Sequence, residues 1–567
     1  MCWRGGRWGP RGPQAGCWWR IGCSGRRGRT PAVDGSRRAV DGGRLRQGRS
    51  ARRLQTSARR AASTMSQGGK EMQKVAVIGS GPSGLVAARY LRSEGFAPVL
   101  FEQAATPGGQ WSGDASCSGA WPSMRTNTSR VLTQFSDLPH VPGLATYPSN
   151  REIGDYLQRY AARFDLPSRT RLGTPVREIR AEPGGWAVRH GAEAEFFEKV
   201  VVASGRFQHA CIPRVPGLKS FSGDAGVAHT SAYKDPERYR GKHVLVAGCA
   251  ISALEIASDL CMLGAARVVV CNRRQRYVLP KLMAGVPSDH RVFTRYQALA
   301  EESLPPGEFG AMLKELVLEA VGSPEQYGAP RPADSILDAG LTLSQHYLPL
   351  VAEGRIEVRP WFDRVDGTQV RFGDGRTEAF DGILFGTGFE LSMPFLSEPI
   401  RRTLNLAAQR LDLYKHTFHP ELPGLAFVGM WDQSGPMFPP LELQARWVAY
   451  VWSGAVAPPT PEEMHLGLAA CRAHGDKPRK TKMNLMALLF ARAAGVEPDL
   501  DRWPGLQRAL LFGPLAPISF RLQGRDALPD AASRFASEAM AFGCMQSPDF
   551  CAGELQKLER LGSVPID

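Results

Sequence analysis

No run of about 18 apolar residues occurs anywhere in this chain of 567 residues, so nothing in it predicts a membrane-spanning helix. The longest apolar stretches, 485–496 and 509–520, are broken by Arg492 and by Pro514 and Pro517. Cysteine carries no pattern. Of eleven, three lie in the first 64 residues, and the other eight (Cys117, Cys211, Cys249, Cys261, Cys271, Cys471, Cys544 and Cys551) form neither a C-x-x-C nor a zinc spacing. That excludes a dithiol reductase centre and predicts no metal site, and scattered thiols suit a reducing compartment. No Ser-His-Asp spacing and no paired-carboxylate motif stands out. Chemistry in such a chain is left to a bound organic cofactor.

Acidic residues are nearly missing from one place. Residues 1–64 hold sixteen Arg, no Lys, no Glu and only Asp34 and Asp41. The net charge of +15 therefore sits almost wholly in this leader, and about one positive charge remains on the other 503 residues. A nearly neutral body gives no footprint for nucleic acid or for a membrane surface. The leader reads equally as an Arg-rich, acid-poor transit segment or as an extension upstream of Met65 or Met72. We expect a cytoplasmic protein, or an organelle-matrix one if the leader is a transit peptide. The leader carries none of the motifs below.

What the sequence does contain is two β-α-β units. Residues 74–78 read as a buried strand, 83–92 as a helix and 98–101 as a second strand. Residues 105–150, rich in Gly, Pro, Ser and Asn, read as a long structured loop. A helix is expected over 152–164 and a buried strand over 199–203. The second unit starts at His243, with a strand over 244–247, a helix over 251–263 and a strand over 267–271. Further strands are expected at 356–358, 381–385 and 424–428, and helices from Pro461 onward. The interval 276–350 reads as a mostly helical insertion, far longer than an ordinary connection of about 2–6 residues.

Gly79-Ser80-Gly81-Pro82-Ser83-Gly84 follows the first strand and opens the first helix. Gly79 makes the tight turn, Gly81 lets a pyrophosphate approach the backbone, and Gly84 lets helix and strand pack closely. The helix N-terminus then presents free N–H groups to phosphate. Glu102 ends the second strand, where a carboxylate accepts from ribose hydroxyls. In the second unit, Gly248-Cys249-Ala250-Ile251-Ser252-Ala253 keeps only one of the three glycines. Its second strand ends in Arg273-Arg274 instead of an acid, which favours a 2′-phosphate and hence an NADP-type nucleotide. Ala250 fits such a turn if its φ is negative. His229 and Tyr233, in the loop before this unit, fit a structural hydrogen-bonding role as well as a catalytic one.

Over about residues 74–530 the chain resembles the flavin-containing monooxygenases, the N- and S-oxygenating enzymes related to Baeyer–Villiger monooxygenases. The likeness rests on the first glycine motif, Gly108-Gly109-Gln110-Trp111, and Thr126-Asn127-Thr128-Ser129 followed by Phe135-Ser136-Asp137-Leu138-Pro139. It continues in Phe221-Ser222-Gly223 with His229 and Tyr233, Phe385-Gly386-Thr387-Gly388-Phe389, Gly429 with Gln433, and Glu442-Leu443-Gln444-Ala445-Arg446-Trp447. One spacing departs from the family. Its fingerprint has three residues between Gly and His, whereas five separate Gly223 from His229 here.

The resemblance implies an α/β fold with two Rossmann-like dinucleotide-binding domains, the FAD domain interrupted by the NADP domain. The expected division is a basic leader over 1–70, a first FAD part over 72–235, and an NADP part over 236–380 carrying the insertion. A second FAD part with C-terminal helices covers 381–567. NADPH would reduce FAD, and reduced flavin with O2 would give a C4a-hydroperoxide that oxygenates an amine or sulfide, as in N,N-dimethylaniline monooxygenase activity. Asn127 is implied as the active-site Asn. Gln110, Trp111 and Gln433 are implied as flavin contacts, and Gly248, Ser252, Arg273 and Arg274 as NADP contacts. A small-molecule substrate, O2 and a homodimer are the expected partners. Baeyer–Villiger oxygenation, NADPH oxidase activity and a non-catalytic FAD-binding regulator stay open as alternatives. We also expect the insertion to act as a lid over NADP, or else to pack on the sheet.

Overall fold

The computed structural model describes residues 72–114, 118–473, 475 and 480–562. The basic leader lies outside them, and so does Cys117. Lys74–Ile78 (β1), Pro82–Ser93 (α1) and Ala97–Phe101 (β2) form the first β-α-β unit. Asn150–Arg163 (α2), Thr170–Arg171 (β3) and Lys199–Val202 (β4) follow. The second unit adds Gly226–His229 (β5), His243–Ala247 (β6), Ile251–Met262 (α3) and Arg267–Asn272 (β7). After the insertion come Ile356–Pro360 (β8), Gly382–Phe385 (β9) and Leu425–Phe427 (β10).

Two five-stranded parallel sheets result. The first runs β10-β4-β1-β2-β3 and the second β8-β7-β6-β9-β5. The first sheet is thus completed by β10 only after every strand of the second has been laid down, and the fold is α/β with two Rossmann-like units. The reason lies in the residues. Each central strand is apolar on both faces, as parallel strands buried on both sides must be. Val75, Val77 and Val201 pack toward α1, α2 and the helix Phe438–Ser453. Ala76, Ile78, Val200 and Val202 face a small antiparallel sheet of Val176–Glu182, Gly185–His190 and Glu193–Phe197.

The second sheet repeats the plan. Val244, Val246, Val268 and Val270 pack on α3. Leu245, Ala247, Val269 and Cys271 pack on an antiparallel sheet of Phe362–Asp366, Gln369–Phe372 and Thr377–Ala379. Each buried Val or Leu contributes about 1.5–3 kcal/mol, so these two sandwiched sheets hold the nucleotide loops rigidly. The sequence pattern predicts neither antiparallel sheet.

Ionic ties lock the motifs together inside the first core. Glu442, fully buried, accepts from Tyr90 Oη at 2.7 Å and from the Ser136 amide at 2.8 Å. Burial and the nearby Asp137 charge push its carboxyl above the usual range. Arg89 bonds Asp137 at 2.5 Å. The Phe135–Pro139 stretch therefore serves the packing of α1 and Phe438–Ser453 against each other. No helix among the described residues is long and apolar enough to cross a membrane.

Candidate active site between two nucleotide loops

The Gly79 amide donates to the Phe101 carbonyl at 2.8 Å, folding the turn back over the end of β2. A Cβ on Gly84 would lie 1.9 Å from the Gly79 carbonyl oxygen, so α1 rests directly on the turn and only glycine fits. Gly81 caps α1 with no side-chain hydrogen bond, which leaves the first-turn N–H groups to a ligand. The Gly108-Gly109 loop crosses this point. Gly108 donates to the Ser80 carbonyl at 3.0 Å, and a Cβ on Gly109 would come 3.0 Å from Gly81 Cα. Two side-chain-free loops thus frame a cradle at a helix N-terminus, a fit for a pyrophosphate.

Glu102 is buried at the end of β2. Its Oε2 accepts from the Ser80 amide at 2.8 Å and the Ser80 hydroxyl at 2.9 Å, and its Oε1 accepts from the Ala104 amide at 2.9 Å. A carboxylate has about four lone-pair sites. Glu102 spends three on shaping the loop and keeps capacity for a ribose hydroxyl. Gln110 ties the crossing loop down, with Nε2 donating to the Phe207 carbonyl at 3.0 Å and Oε1 accepting from the Gly119 amide at 2.6 Å. Trp111 is half-buried against the first core, and its carbonyl occupies the space a Cβ on Gly154 would need. Gln433 accepts from Trp431 Nε1 at 2.8 Å and donates to the Pro436 carbonyl at 2.6 Å. Both ends of that amide serve the protein.

Asn127 sits in a turn held at both ends. The Thr126 amide donates to the Pro148 carbonyl at 2.8 Å, the Thr126 hydroxyl to the Thr128 carbonyl at 2.8 Å, and the Ser129 amide to Asp289 Oδ2 at 2.6 Å. Asn127 Oδ1 is buried and has no hydrogen-bond partner among the described residues. Ser204 Oγ and Arg206 Nε, just past the end of β4, are likewise buried without partners. Burial lowers the Arg206 pKa, and the charge of Asp432 opposes that shift. Leaving such groups unpaired costs about 1–3 kcal/mol each. Ser204 lies against the cradle, its Cα 3.2 Å from where a Cβ on Gly79 would stand, and an orphaned hydroxyl there fits a bound dinucleotide that completes it.

The second loop repeats the first with different side chains. Gly248, at φ +141°, donates to the Cys271 carbonyl at 2.8 Å, as Gly79 does to Phe101. Ala250 caps α3 at φ −99°, which any residue adopts, so the missing glycine costs no strain. Ser252 is exposed in the first turn of α3. By this pairing, Asn272 is the counterpart of Glu102, and Arg273 stands one residue beyond. A buried amide, bonding Gln275 Oε1 at 3.2 Å, takes the place of the acid. Arg273 and Arg274 are exposed, and the Arg273 guanidinium lies 4.6 Å from the centre of the Trp361 ring.

Tyr233 takes a structural part, and His229 caps a turn through Nδ1 while its buried Nε2 has no hydrogen-bond partner among the described residues. His229 Nδ1 accepts from the Ser231 amide at 3.1 Å, and its ring meets Phe389 edge-on at 4.9 Å. Burial lowers its pKa. Tyr233, fully buried, donates to Asp259 Oδ2 at 3.0 Å. The insertion is not wholly helical, and one part of it does pack with the sheet, since Val278, Ala329, Tyr347, Leu348 and Leu350 join the core of Val244, Val246 and α3. It contains Asp289–Val292 (α4), Arg295–Ser303 (α5) and Pro306–Val321 (α6) with short strands, around a core of its own that includes Tyr277, Phe309 and Leu313. It docks on the C-terminal helices. Arg295 pairs with Glu497 at 2.8 Å, and Lys482 pairs with Glu301 at 2.8 Å.

Comparison with known proteins follows the same lines. A family model described as flavin-binding monooxygenase-like matches residues 72–536. Dimethylaniline monooxygenase [N-oxide-forming] 2 of Rattus norvegicus is 30% identical over 484 residues, 80% of this chain and 89% of the relative. Among solved structures, S-allyl-L-cysteine S-oxygenase from Allium sativum superposes with a TM-score of 0.56 at 24% identity, covering 82% of this chain and 99% of that one. Cyclohexanone monooxygenase from Rhodococcus sp. Phi1, bound to NADP+, gives a TM-score of 0.57 at 18% identity, covering 75% and 97%.

Proposed function

The chain belongs to the flavin-binding monooxygenase-like family, FAD- and NADPH-dependent oxygenases, and from that premise we propose that it oxygenates a soft nucleophile, an amine or a sulfide, on a small molecule. The observation that carries this reading is the unpartnered amide oxygen of Asn127, in a chain that has two dinucleotide loops and no side-chain nucleophile motif. FAD, when bound, supplies hydride acceptance from NADPH and the activation of O2.

The chain supplies the rest. The N-terminus of α1 and the glycine cradle bind the FAD pyrophosphate, and Glu102 takes its ribose. Gln110 and Trp111 fix the crossing loop over the cradle, and Gln433 acts by holding Trp431 and the Pro436 turn. Gly248 and Ser252 receive the NADP pyrophosphate at α3, while Arg273 and Arg274 receive the 2′-phosphate. Asn127 offers a buried amide oxygen at the reacting face. The amine reading has its support in the name of the 30%-identical relative, an N-oxide-forming dimethylaniline monooxygenase.

The test is NADPH and O2 consumption by purified protein against dimethylaniline, a thioether and a cyclic ketone, with product mass. N-oxide or sulfoxide supports the proposal. Ester from the ketone alone, or consumption that no substrate raises, overturns it. Asn127→Ala should keep full flavin yet lose product about 5- to 150-fold, the worth of one buried hydrogen bond of about 1–3 kcal/mol. The NADPH still oxidised to NADP+ should be matched by hydrogen peroxide, its two electrons having gone to O2. Unchanged product per NADPH would remove Asn127 from the site.

A further inference from the structure

The insertion reaches the Asn127 turn through a buried polar cluster. Ser129, Asp289 and His290 are all at most 2% exposed. The Ser129 amide donates to Asp289 Oδ2 at 2.6 Å, and the Ser129 hydroxyl lies 3.0 Å from His290 Nε2. Ser129 belongs to the loop of the first unit, whereas Asp289 and His290 form the first turn of α4, beyond β7 of the second. A further tie runs alongside, from the Tyr147 hydroxyl to the Lys281 carbonyl. Phe542 closes the cluster, its ring 5.4 Å from His290 and 5.0 Å from the Arg130 guanidinium.

A carboxyl in that position is expensive. Burial raises Asp289 to about 6, with the Ser129 amide pulling the other way, and its Oδ1 has no hydrogen-bond partner among the described residues. A buried carboxyl with no cation beside it carries a desolvation cost that an apolar side chain would not, so packing alone does not call for an acid here. Across the two units the acid holds the Ser129 backbone N–H, two residues from Asn127, while on its own element the backbone of Asp289 and His290 also bears on it. The Thr126 hydroxyl bond to the Thr128 carbonyl closes the intervening turn. Fixing Ser129 therefore fixes the turn as a unit.

We propose that Asp289 is a positioning residue for Asn127, holding the Asn127 turn from the insertion of the second unit so that the amide oxygen stays aimed at the reacting face. This rests on the reading of Asn127 given above. It makes the nucleotide-binding unit of NADP the support of a side chain carried by the FAD unit. Without the Asp289 bond the turn is free to shift, water enters the space it leaves, and oxygen departs as peroxide.

The experiment uses FAD-loaded wild type, Asp289→Leu, Asp289→Asn, Asn127→Ala and the double variant Asn127→Ala/Asp289→Leu. The first readout is backbone amide exchange over residues 126–134, independent of turnover. In wild type the Ser129 amide should exchange slowly, and Asp289→Leu should speed it at least about tenfold, the minimum expected for losing a bond worth about 1.5 kcal/mol. Asp289→Asn, which keeps an acceptor oxygen, should stay near wild type. The second readout is peroxide released per NADPH oxidised. Asp289→Leu should move it toward the Asn127→Ala value, and the double variant should be no worse than Asn127→Ala alone, because both act through one group.

A fast-exchanging Ser129 amide in wild type overturns the proposal without any variant. So does a flavin-loaded Asp289→Leu with wild-type exchange and peroxide ratio, or a double variant whose effects add. Should Asn127→Ala itself leave the ratio unchanged, the reading of Asn127 falls, and with it the purpose assigned to Asp289. The exchange data would still decide the bond.

Discussion

Gly81→Asp yields folded protein that purifies colourless, with FAD affinity lowered by about three orders of magnitude. The fold survives because the new Cβ meets nothing closer than Gly109 Cα at 3.5 Å, an ordinary contact. Position 81 is the N-cap of α1, where Asp is among the best residues and its carboxylate accepts from first-turn N–H groups. Those are the groups a pyrophosphate needs. The substitution therefore stabilises the helix while it blocks the ligand. Two like charges about 4 Å apart repel by about 4 kcal/mol at an effective dielectric constant of 20, and this sets the expected loss. Gly84→Ala should behave in the opposite way. Its methyl would sit 1.9 Å from the Gly79 carbonyl oxygen, so the first unit itself fails. Flavin absorbance per protein, with a thermal melt of each variant, separates the two. Stoichiometric flavin on folded Gly81→Asp would mean that this loop does not hold the pyrophosphate.

The contrast shows what can be read from the chain alone. Parallel strands buried on both faces leave near-continuous apolar runs, and Val75, Val77, Val244 and Val246 announce themselves that way. Glycines whose Cβ would collide leave a spacing, so Gly79 and Gly84 mark the first turn, and in the second only Gly248 does. The antiparallel sheets are not, although their turns carry a signal in Pro183-Gly184, Asp366-Gly367 and Asp374-Gly375. Their strands carry charged residues at exposed positions, as in Phe362–Asp366 and Gln369–Phe372, and so do not stand out against loop composition. The insertion leaves a helical spacing but no sign of its partner, because docking on residues about 200 positions away is a tertiary event. Asp289 leaves no motif at all. A carboxyl in a four-residue helix looks like surface until the Ser129 amide is found against it. Gln433 shows the converse. The family pattern marks the residue, and the structure finds its amide bonded to Trp431 and Pro436.

Replacing Arg273 and Arg274 together by Ala weakens NADPH about 10- to 150-fold and leaves NADH nearly untouched. Each hydrogen bond from a charged donor is worth about 1.5–3 kcal/mol, and the range corresponds to breaking one such bond to the phosphate. The structure sharpens the argument in two ways. At the strand end, where Glu102 would repel a 2′-phosphate, the second unit has the neutral Asn272. Arg273, one residue on, lies over Trp361 at 4.6 Å, and a stacked guanidinium keeps its N–H edge directed outward while its face is covered. Trp361→Ala should then reproduce part of the NADPH effect without removing a charge, since it takes away the support of the guanidinium and leaves the guanidinium itself. Salt gives an independent check. The 2′-phosphate carries up to about two negative charges and the pair is exposed, so raising ionic strength should weaken NADPH far more than NADH in wild type and nearly equally in the double variant. The measurements are KM and binding constants for both nucleotides at low and high salt. Equal weakening of NADPH and NADH on removing the two arginines would show that they hold the loop and do not read the phosphate.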